Sequence, residues 1–348
     1  MKKAVQLLIS GESLFSFQVL IVTAIASLVS IGCTDNISSN NQPTVNKTSL
    51  PVLREDVQVA RRTRERQGTV YNSASVSVGS KNILPKLKIG ILATQNLPEQ
   101  QQIIKPLDDY LETSLGRQID FLIAKDYEEV INWLIEDELD LAYLGPVAYL
   151  KAVDRGAKIQ PLVTSIDKHT GQPWYRACIL VKNNSSIKTL KDLKGKRVAF
   201  VNKSSTSGYL MPLANLRKVN IYPEQDFAKV IYAGNHSKSI KALEDGIVDA
   251  AATNVSSYLA LQKSGKITPQ NYRLIWESVP IPNFPIVVSK KLSSELVQQL
   301  KRVFISTPEG IKNILGTESS GYTLINPDDY APIQKLRQEL NLISLPKQ

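Results

Sequence analysis

Beyond the first eighty-five residues, short apolar runs alternate with stretches whose apolar positions recur every three or four residues. The short runs have strand length and the longer ones helical spacing. Strands are expected at 87–92, 118–123, 139–144 and 159–165. Helices are expected between them: 98–115, closed by Gly116; one from Asp126, with Glu129 three residues on; and one from Gly145-Pro146 to near Gly156. A polar break at 167–173 interrupts the pattern, and the alternation then restarts. It runs through strands at 177–181, 197–201, 229–232 and 248–252, with helices at 189–195, 237–245, 255–263 and from the turn after Val201 to Val219. Runs at 274–278 and 284–289 read as a return to the first half. Helices at 293–304, 308–315 and 327–340 finish the chain. Repeated strand–helix–strand units of this size imply parallel sheets covered by helices. The pattern therefore predicts an α/β protein of two lobes, 86–170 with 277–348 and 171–276, joined by two chain crossings around a cleft.

Ligands of open α/β sheets sit at the carboxyl ends of strands, so the loops there are the places to look. Four qualify: Thr94-Gln95-Asn96, Tyr143-Leu144-Gly145-Pro146, Ser205-Thr206-Ser207-Gly208 and Asn235-His236-Ser237. The third is the most informative. Four hydroxyl residues, Ser204 to Ser207, follow an apolar run and precede a helix. A hydroxyl-rich turn at a helix start gathers O–H and N–H donors where the helix dipole adds partial positive charge. Pro146 suits a first helical position, and Gly145 allows close backbone approach to a small ligand. Each feature has a plainer reading. A Ser/Thr run before a helix also serves as an N-cap. A lone loop histidine such as His236 is often solvated or structural, and a strand-end tyrosine such as Tyr143 often belongs to core or rim.

The N-terminus changes the picture of where this globule works. Lys2 and Lys3 precede an apolar stretch from Leu14 to Ile31, and Gly32-Cys33 follows. That is a secretory signal over 1–33, and the Ser30-Ile31-Gly32-Cys33 ending resembles a bacterial lipobox, in which the chain is cut behind Gly32 and Cys33 is lipidated. The alternative is a transmembrane anchor of the same stretch. Residues 34–85, rich in Asn, Ser and Thr and then in arginine (Arg61, Arg62, Arg64, Arg66), cannot bury a core and read as a disordered tether. Those arginines suit anionic headgroups or simply keep a linker soluble.

The formal charge is +10, but residues 86–348 hold 33 basic against 27 acidic residues, a net +6. A mildly basic globule suits anionic ligands. No zinc spacing, recognition helix or aromatic-interleaved basic run argues for nucleic acid. With Cys33 lipidated, Cys178 has no partner and reads as a buried thiol. The two histidines, His169 and His236, have no Cys/His cluster around them, so neither metal nor cofactor is expected.

Together these motifs resemble the periplasmic phosphonate/phosphite/phosphate-binding proteins of ABC transporters, the PhnD-like group of type II solute-binding proteins. The resemblance covers nearly all of 86–340. It rests on the order and spacing of Asp140-Leu141-Ala142-Tyr143-Leu144-Gly145-Pro146, Ser205-Thr206-Ser207-Gly208-Tyr209-Leu210-Met211-Pro212, Ala233-Gly234-Asn235-His236-Ser237 with Val248-Asp249-Ala250-Ala251-Ala252-Thr253-Asn254, and Ile281-Pro282-Asn283-Phe284-Pro285. It implies a two-lobe type II periplasmic-binding-protein fold with the ligand cleft between the lobes, closing by hinge motion. It also implies that Ser205, Thr206 and Ser207 donate to the oxygens on phosphorus, that His236 donates from a facing helix, and that Tyr143 or Leu144 with Thr94 closes the other side. Gln95, Asn254 and Phe284 are secondary contacts. Relatives that bind aminoalkyl phosphonates place acids near the ammonium, at positions that align with Ser256 and Phe284 here, neither of them acidic. The expected ligand is therefore phosphite, phosphate or an alkylphosphonate such as methylphosphonate. The expected protein is a monomeric, non-enzymatic, extracytoplasmic binding protein, anchored by lipid on Cys33, that delivers to a permease. Two other classes share these residues: a tethered sensor for a signalling partner, and a serine hydrolase written from Ser205 or Ser207, His236 and Asp249. The Gly-x-Ser-x-Gly elbow of the latter is absent.

Overall fold

The alternating runs build two sheets covered by helices in a computed structural model that describes residues 84–93, 97–168 and 170–342. The expected signal segment with Cys33, the tether up to residue 83, and Thr94 and Gln95 lie outside the described residues. From the start the chain forms β1 (Leu87–Leu92), α1 (Leu97–Leu115), β2 (Ile119–Ala124), α2 (Tyr127–Ile135), β3 (Leu141–Tyr143), α3 (Pro146–Asp154) and β4 (Ile159–Asp167). It continues through β5 (Trp174–Tyr175), β6 (Ala177–Lys182), β7 (Arg197–Phe200), α4 (Met211–Lys218), a short α5 (Pro223–Asp226), β8 (Lys229–Tyr232), α6 (His236–Glu244), β9 (Ala250–Asn254), α7 (Val255–Lys263) and β10 (Tyr272–Glu277). Then come β11 (Ile281–Pro282), β12 (Pro285–Ser289), α8 (Ser294–Ile305), β13 (Ser319–Leu324) and α9 (Ala331–Glu339).

The first sheet has the order β13-β4-β12-β3-β1-β2 and the second β10-β6-β9-β7-β8. Both are mixed, where parallel sheets were expected. β1 is parallel to β2 and β3, but β12 runs antiparallel to β3 and β4, and β13 antiparallel to β4. In the second sheet β7 is parallel to β8 and β9, whereas β6 is antiparallel to β9 and β10. Strands that arrive by crossing from the other lobe enter against the local direction, which a repeat of strand and helix lengths does not encode. The run at 274–278, expected to return to the first half, is β10 and pairs with β6 in the second sheet. The two chain crossings lie side by side, since β5 and β11 pair as a small antiparallel ribbon.

The central strands read as continuous apolar runs because both faces are covered. Ile179, Leu180 and Val181 of β6, Val198, Ala199 and Phe200 of β7, and Ala250, Ala251 and Ala252 of β9 are all inaccessible to solvent. Gly90 in β1 is dictated by packing, because a Cβ there would lie 2.3 Å from Leu139 Cδ1. Helix starts are set by side-chain caps, each satisfying an orphan N–H. Asp126 accepts from Glu129 N at 2.9 Å, Asn235 from Lys238 N at 2.8 Å and Asn254 from Ser257 N at 2.7 Å. The segment expected as a helix at 308–315 is a turn instead. Gly310 and Gly316 sit at φ +94° and +75°, and Asn313 Oδ1 takes the N–H groups of Leu315 and Thr317, so the backbone donors turn inward rather than along a helix.

Candidate functional site

The hydroxyl turn begins as the chain leaves β7. Ser205 N donates to Asn202 O, Ser204 N to Asn202 Oδ1, and Leu210 N reaches back five residues to Ser205 O at 3.1 Å. That last bond makes 206–210 a single π-helical turn, a form concentrated at functional sites. Gly208 permits it: a Cβ there would meet Val201 Cγ2 at 2.2 Å. Ser205 Oγ accepts from Gly208 N at 3.0 Å. Thr206 Oγ1 accepts at 2.9 Å from Val147 N, at the start of α3 in the other lobe. Each of these oxygens takes a backbone N–H, which leaves its own proton to donate elsewhere. Ser207 Oγ is buried and makes no hydrogen bond of normal geometry among the described residues. Ser204 faces away from the other three, accepting from Lys151 Nζ of α3 at 2.8 Å and donating to Glu128 at 3.4 Å.

Three tyrosines from the first lobe and the crossing ribbon stand around this turn. Tyr127, first residue of α2, brings its hydroxyl to Ser205, and Tyr175 of β5 brings its own to Ser207 and Thr206. Tyr143, at the end of β3, is 2% exposed, and its Oη has no hydrogen-bond partner among the described residues. A hydroxyl neighbour, Ser165, already accepts from Asn283 Nδ2 at 3.3 Å and Asn313 Nδ2 at 3.4 Å. Burial pushes the Tyr127 phenol up to about 12 and those of Tyr143 and Tyr175 upward as well, so all three stay protonated donors at neutral pH.

His236 opens α6 and is buried, its Nδ1 3.1 Å from Thr253 Oγ1. Burial lowers its pKa to about 4, so the ring is neutral at ordinary pH. When Thr253 donates to Nδ1, the ring proton sits on Nε2. His236, Tyr127, Tyr143, Leu144, Gly145, Asn254 and Phe284 line a common cavity of 510 Å³ between the lobes. Phe284 stacks on Tyr143 at 5.6 Å between centroids and leans on Tyr175 at 4.9 Å. Leu144 contributes only its side chain, because its N–H donates to Pro285 O at 3.4 Å. Asn254 uses Oδ1 as the α7 cap, so its NH₂ alone is left to face the cavity. The hydroxyl turn lies just behind this wall: Thr206 Oγ1 would be 3.9 Å from a Cβ on Gly145.

The arrangement is a cluster of neutral donors with no metal-binding trio of His, Cys, Asp or Glu among the described residues. Such donors suit an anion. Comparison with known proteins agrees. Residues 89–330 match the family described as ABC transporter, phosphonate, periplasmic substrate-binding protein.

The chain belongs to this phosphonate-binding family.

Two curated relatives sit in the same family range. The Phosphate-import protein PhnD of Mycolicibacterium smegmatis is 29% identical over 68% of this chain and 75% of its own length. The Phosphonates-binding periplasmic protein of Escherichia coli is 31% identical over 64% of this chain and 67% of its own. Among solved structures, a binding protein component of an ABC phosphonate transporter from Pseudomonas aeruginosa superposes with TM-score 0.68 at 25% identity, covering 74% of this chain and 87% of that one. The type II periplasmic-binding fold is shared more widely. The aliphatic sulphonate binding protein of Escherichia coli has it too, at TM-score 0.52, 19% identity, and coverage of 76% and 93%.

Phosphonate-binding proteins of this family are non-enzymatic, and the Ser, His and Asp set written from the sequence is not assembled. Asp249 is held by Arg197 through bonds of 2.7, 2.8 and 3.1 Å, and His236 Nδ1 faces Thr253 rather than a carboxylate. Neither Ser256 nor Phe284 supplies an acid; among the described residues Glu99, exposed on α1, is the one carboxylate on the cavity wall. Tyr127 and Tyr175 escape a reading of the sequence. Tyr127 looks like an ordinary first-turn residue after a cap, and Tyr175 lies in the polar break between lobes. The available signal was their position, each next to a strand end that faces the cleft.

Proposed function

We propose that this chain is the extracytoplasmic binding component of an ABC importer, capturing a phosphorus oxyanion without an amine and handing it to a permease. The candidate anions are phosphite, phosphate and alkylphosphonates such as methylphosphonate. Ser205, Thr206, Ser207 and His236 donate from one lobe, and Tyr143, Tyr127 and Tyr175 from the other side, with Thr94 and Gln95 following β1. Asn254 and Phe284 border the substituent. One observation supports the reading: the buried Tyr143 Oη and Ser207 Oγ, one from each lobe, make no hydrogen bond of normal geometry among the described residues. Buried polar atoms are rarely left so, and the oxygens of a bound anion would satisfy them. Support for the family-level role comes from the relatives above. PhnD1 of Prochlorococcus marinus, a neighbour of the same fold, is in complex with methylphosphonate, a ligand consistent with this anion class.

The leader is read as a lipoprotein signal ending at Cys33 and residues 34–85 as a tether, which would keep the binding lobes close to the membrane and its permease. Closure brings the lobes together where they already touch, through Thr206 to Val147 and Ser204 to Lys151. An ammonium would meet no carboxylate inside the cleft, an expensive burial. Calorimetric titration with phosphite, phosphate, methylphosphonate and aminoethylphosphonate tests this directly. At least one of the first three binds more tightly than the amine; aminoethylphosphonate as the tightest of the four overturns the assignment.

A further inference from the structure

Building on the phosphorus-oxyanion reading, we infer that the ligand carries an uncharged apolar substituent larger than a methyl group, which runs along the cleft away from the hydroxyl turn. The cavity is too large and too apolar for the oxyanion alone. Its 510 Å³ lies within the range of about 300–1,000 Å³ typical of sites that enclose whole organic ligands. Methylphosphonate has five non-hydrogen atoms. At about 30 Å³ each, the share of a water molecule in the liquid, they fill roughly 150 Å³.

Tyr143 and His236 bring donors to this space. Much of the lining is apolar, from Ile103 and Pro106 of α1, Val130 of α2, Leu261 of α7 and Leu315 before β13, with Gln102, Ser257 and Thr317 among them. The charged residues on its lining among those described, Glu99, Lys266 and Lys312, are all exposed to solvent and so keep to the rim. A charged tail would leave them no role inside and would itself lose water against an apolar wall. An alkyl or aryl tail would instead bury that wall. Because α1 belongs to one lobe and α7 to the other, the tail would be gripped from both sides and would add apolar contact to closure.

The test is a calorimetric titration of the full chain with methyl-, propyl-, pentyl- and phenylphosphonate at one pH. Affinity rises along the alkyl series by up to about fourfold per methylene, and phenylphosphonate binds at least tenfold more tightly than methylphosphonate. In the variant Ala260→Phe, at an exposed position on the wall, the gain per methylene is lost. Affinity that stays flat or falls with tail length, while methylphosphonate binds, overturns the inference and leaves the oxyanion reading standing. Failure of all four phosphonates while phosphite or phosphate binds overturns this inference alone; failure of phosphite and phosphate as well overturns both.

Discussion

Replacing Tyr143 by phenylalanine should move stability and ligand affinity in opposite directions. The side chain is 2% exposed and its Oη lacks a partner, yet the ring stacks on Phe284 at 5.6 Å and packs into the first-lobe core. Tyr143→Phe keeps the ring and removes only the hydroxyl. An unsatisfied buried polar group costs on the order of 1–3 kcal/mol, so the ligand-free variant should be more stable by about 1 kcal/mol once a modest native contribution from Ser165 is allowed for. In the complex the same hydroxyl donates to an anionic oxygen, a charge-assisted bond of about 1.5–3 kcal/mol. Affinity for methylphosphonate should then weaken by roughly ten- to a hundredfold. Urea unfolding without ligand gives the first number and calorimetry the second. A variant destabilised by more than 1 kcal/mol with unchanged affinity would show that Oη is bonded within the protein, and the reasoning from orphaned atoms would fail.

Other consequences follow from particular contacts. Thr206→Val strands the buried Val147 N–H, so it should cost about 1–3 kcal/mol in urea unfolding as well as affinity, whereas Thr206→Ser keeps the oxygen and should restore most of both; equal behaviour of the two variants would exclude this bond. His236 has a pKa depressed to about 4 against an ordinary value of 6.5. The unfolded chain therefore binds the proton first, and the stability this ring contributes is complete above pH 6.5 and lost as pH falls towards 4. The loss amounts to about 3 kcal/mol, and in His236→Gln the fall in urea stability between those pH values should be smaller by that amount. Gly208→Ala places a methyl 2.2 Å from Val201 Cγ2, and should lower stability by about 1–3 kcal/mol while distorting the hydroxyl turn; a melting point equal to wild type would show that the turn can open.

The two-lobe α/β plan was legible because the buried strands are continuous apolar runs and the caps are literal: Asp126, Asn235 and Asn254 all stand where helices start. The hydroxyl turn was legible for the same local reason. Strand direction was not, since it is decided by chain crossings such as the β5–β11 ribbon that no short window contains. The turn at 308–318 misled because Ile311, Ile314 and Leu315 have helical spacing, while the deciding interactions are Asn313 side-chain bonds and two glycines with positive φ. β13, Ser319–Leu324, is short and polar, and it exists because β4 offers it an edge. The tyrosine hydroxyls around the turn were invisible for a similar reason. Tyr127 and Tyr175 are separated from Ser205 and Ser207 by long stretches of sequence and meet them only once α2 and the crossing ribbon are folded against the turn.

The central claim is that hydroxyl groups on both sides of the cleft hold a phosphorus oxyanion. Its most direct test is calorimetric titration of methylphosphonate into the wild-type chain and into the triple variant Ser205→Ala, Thr206→Val, Ser207→Ala, with folding of both verified by circular dichroism. The wild type should bind, and the folded triple variant should lose at least a hundredfold in affinity. Equal affinity in the two proteins would contradict it.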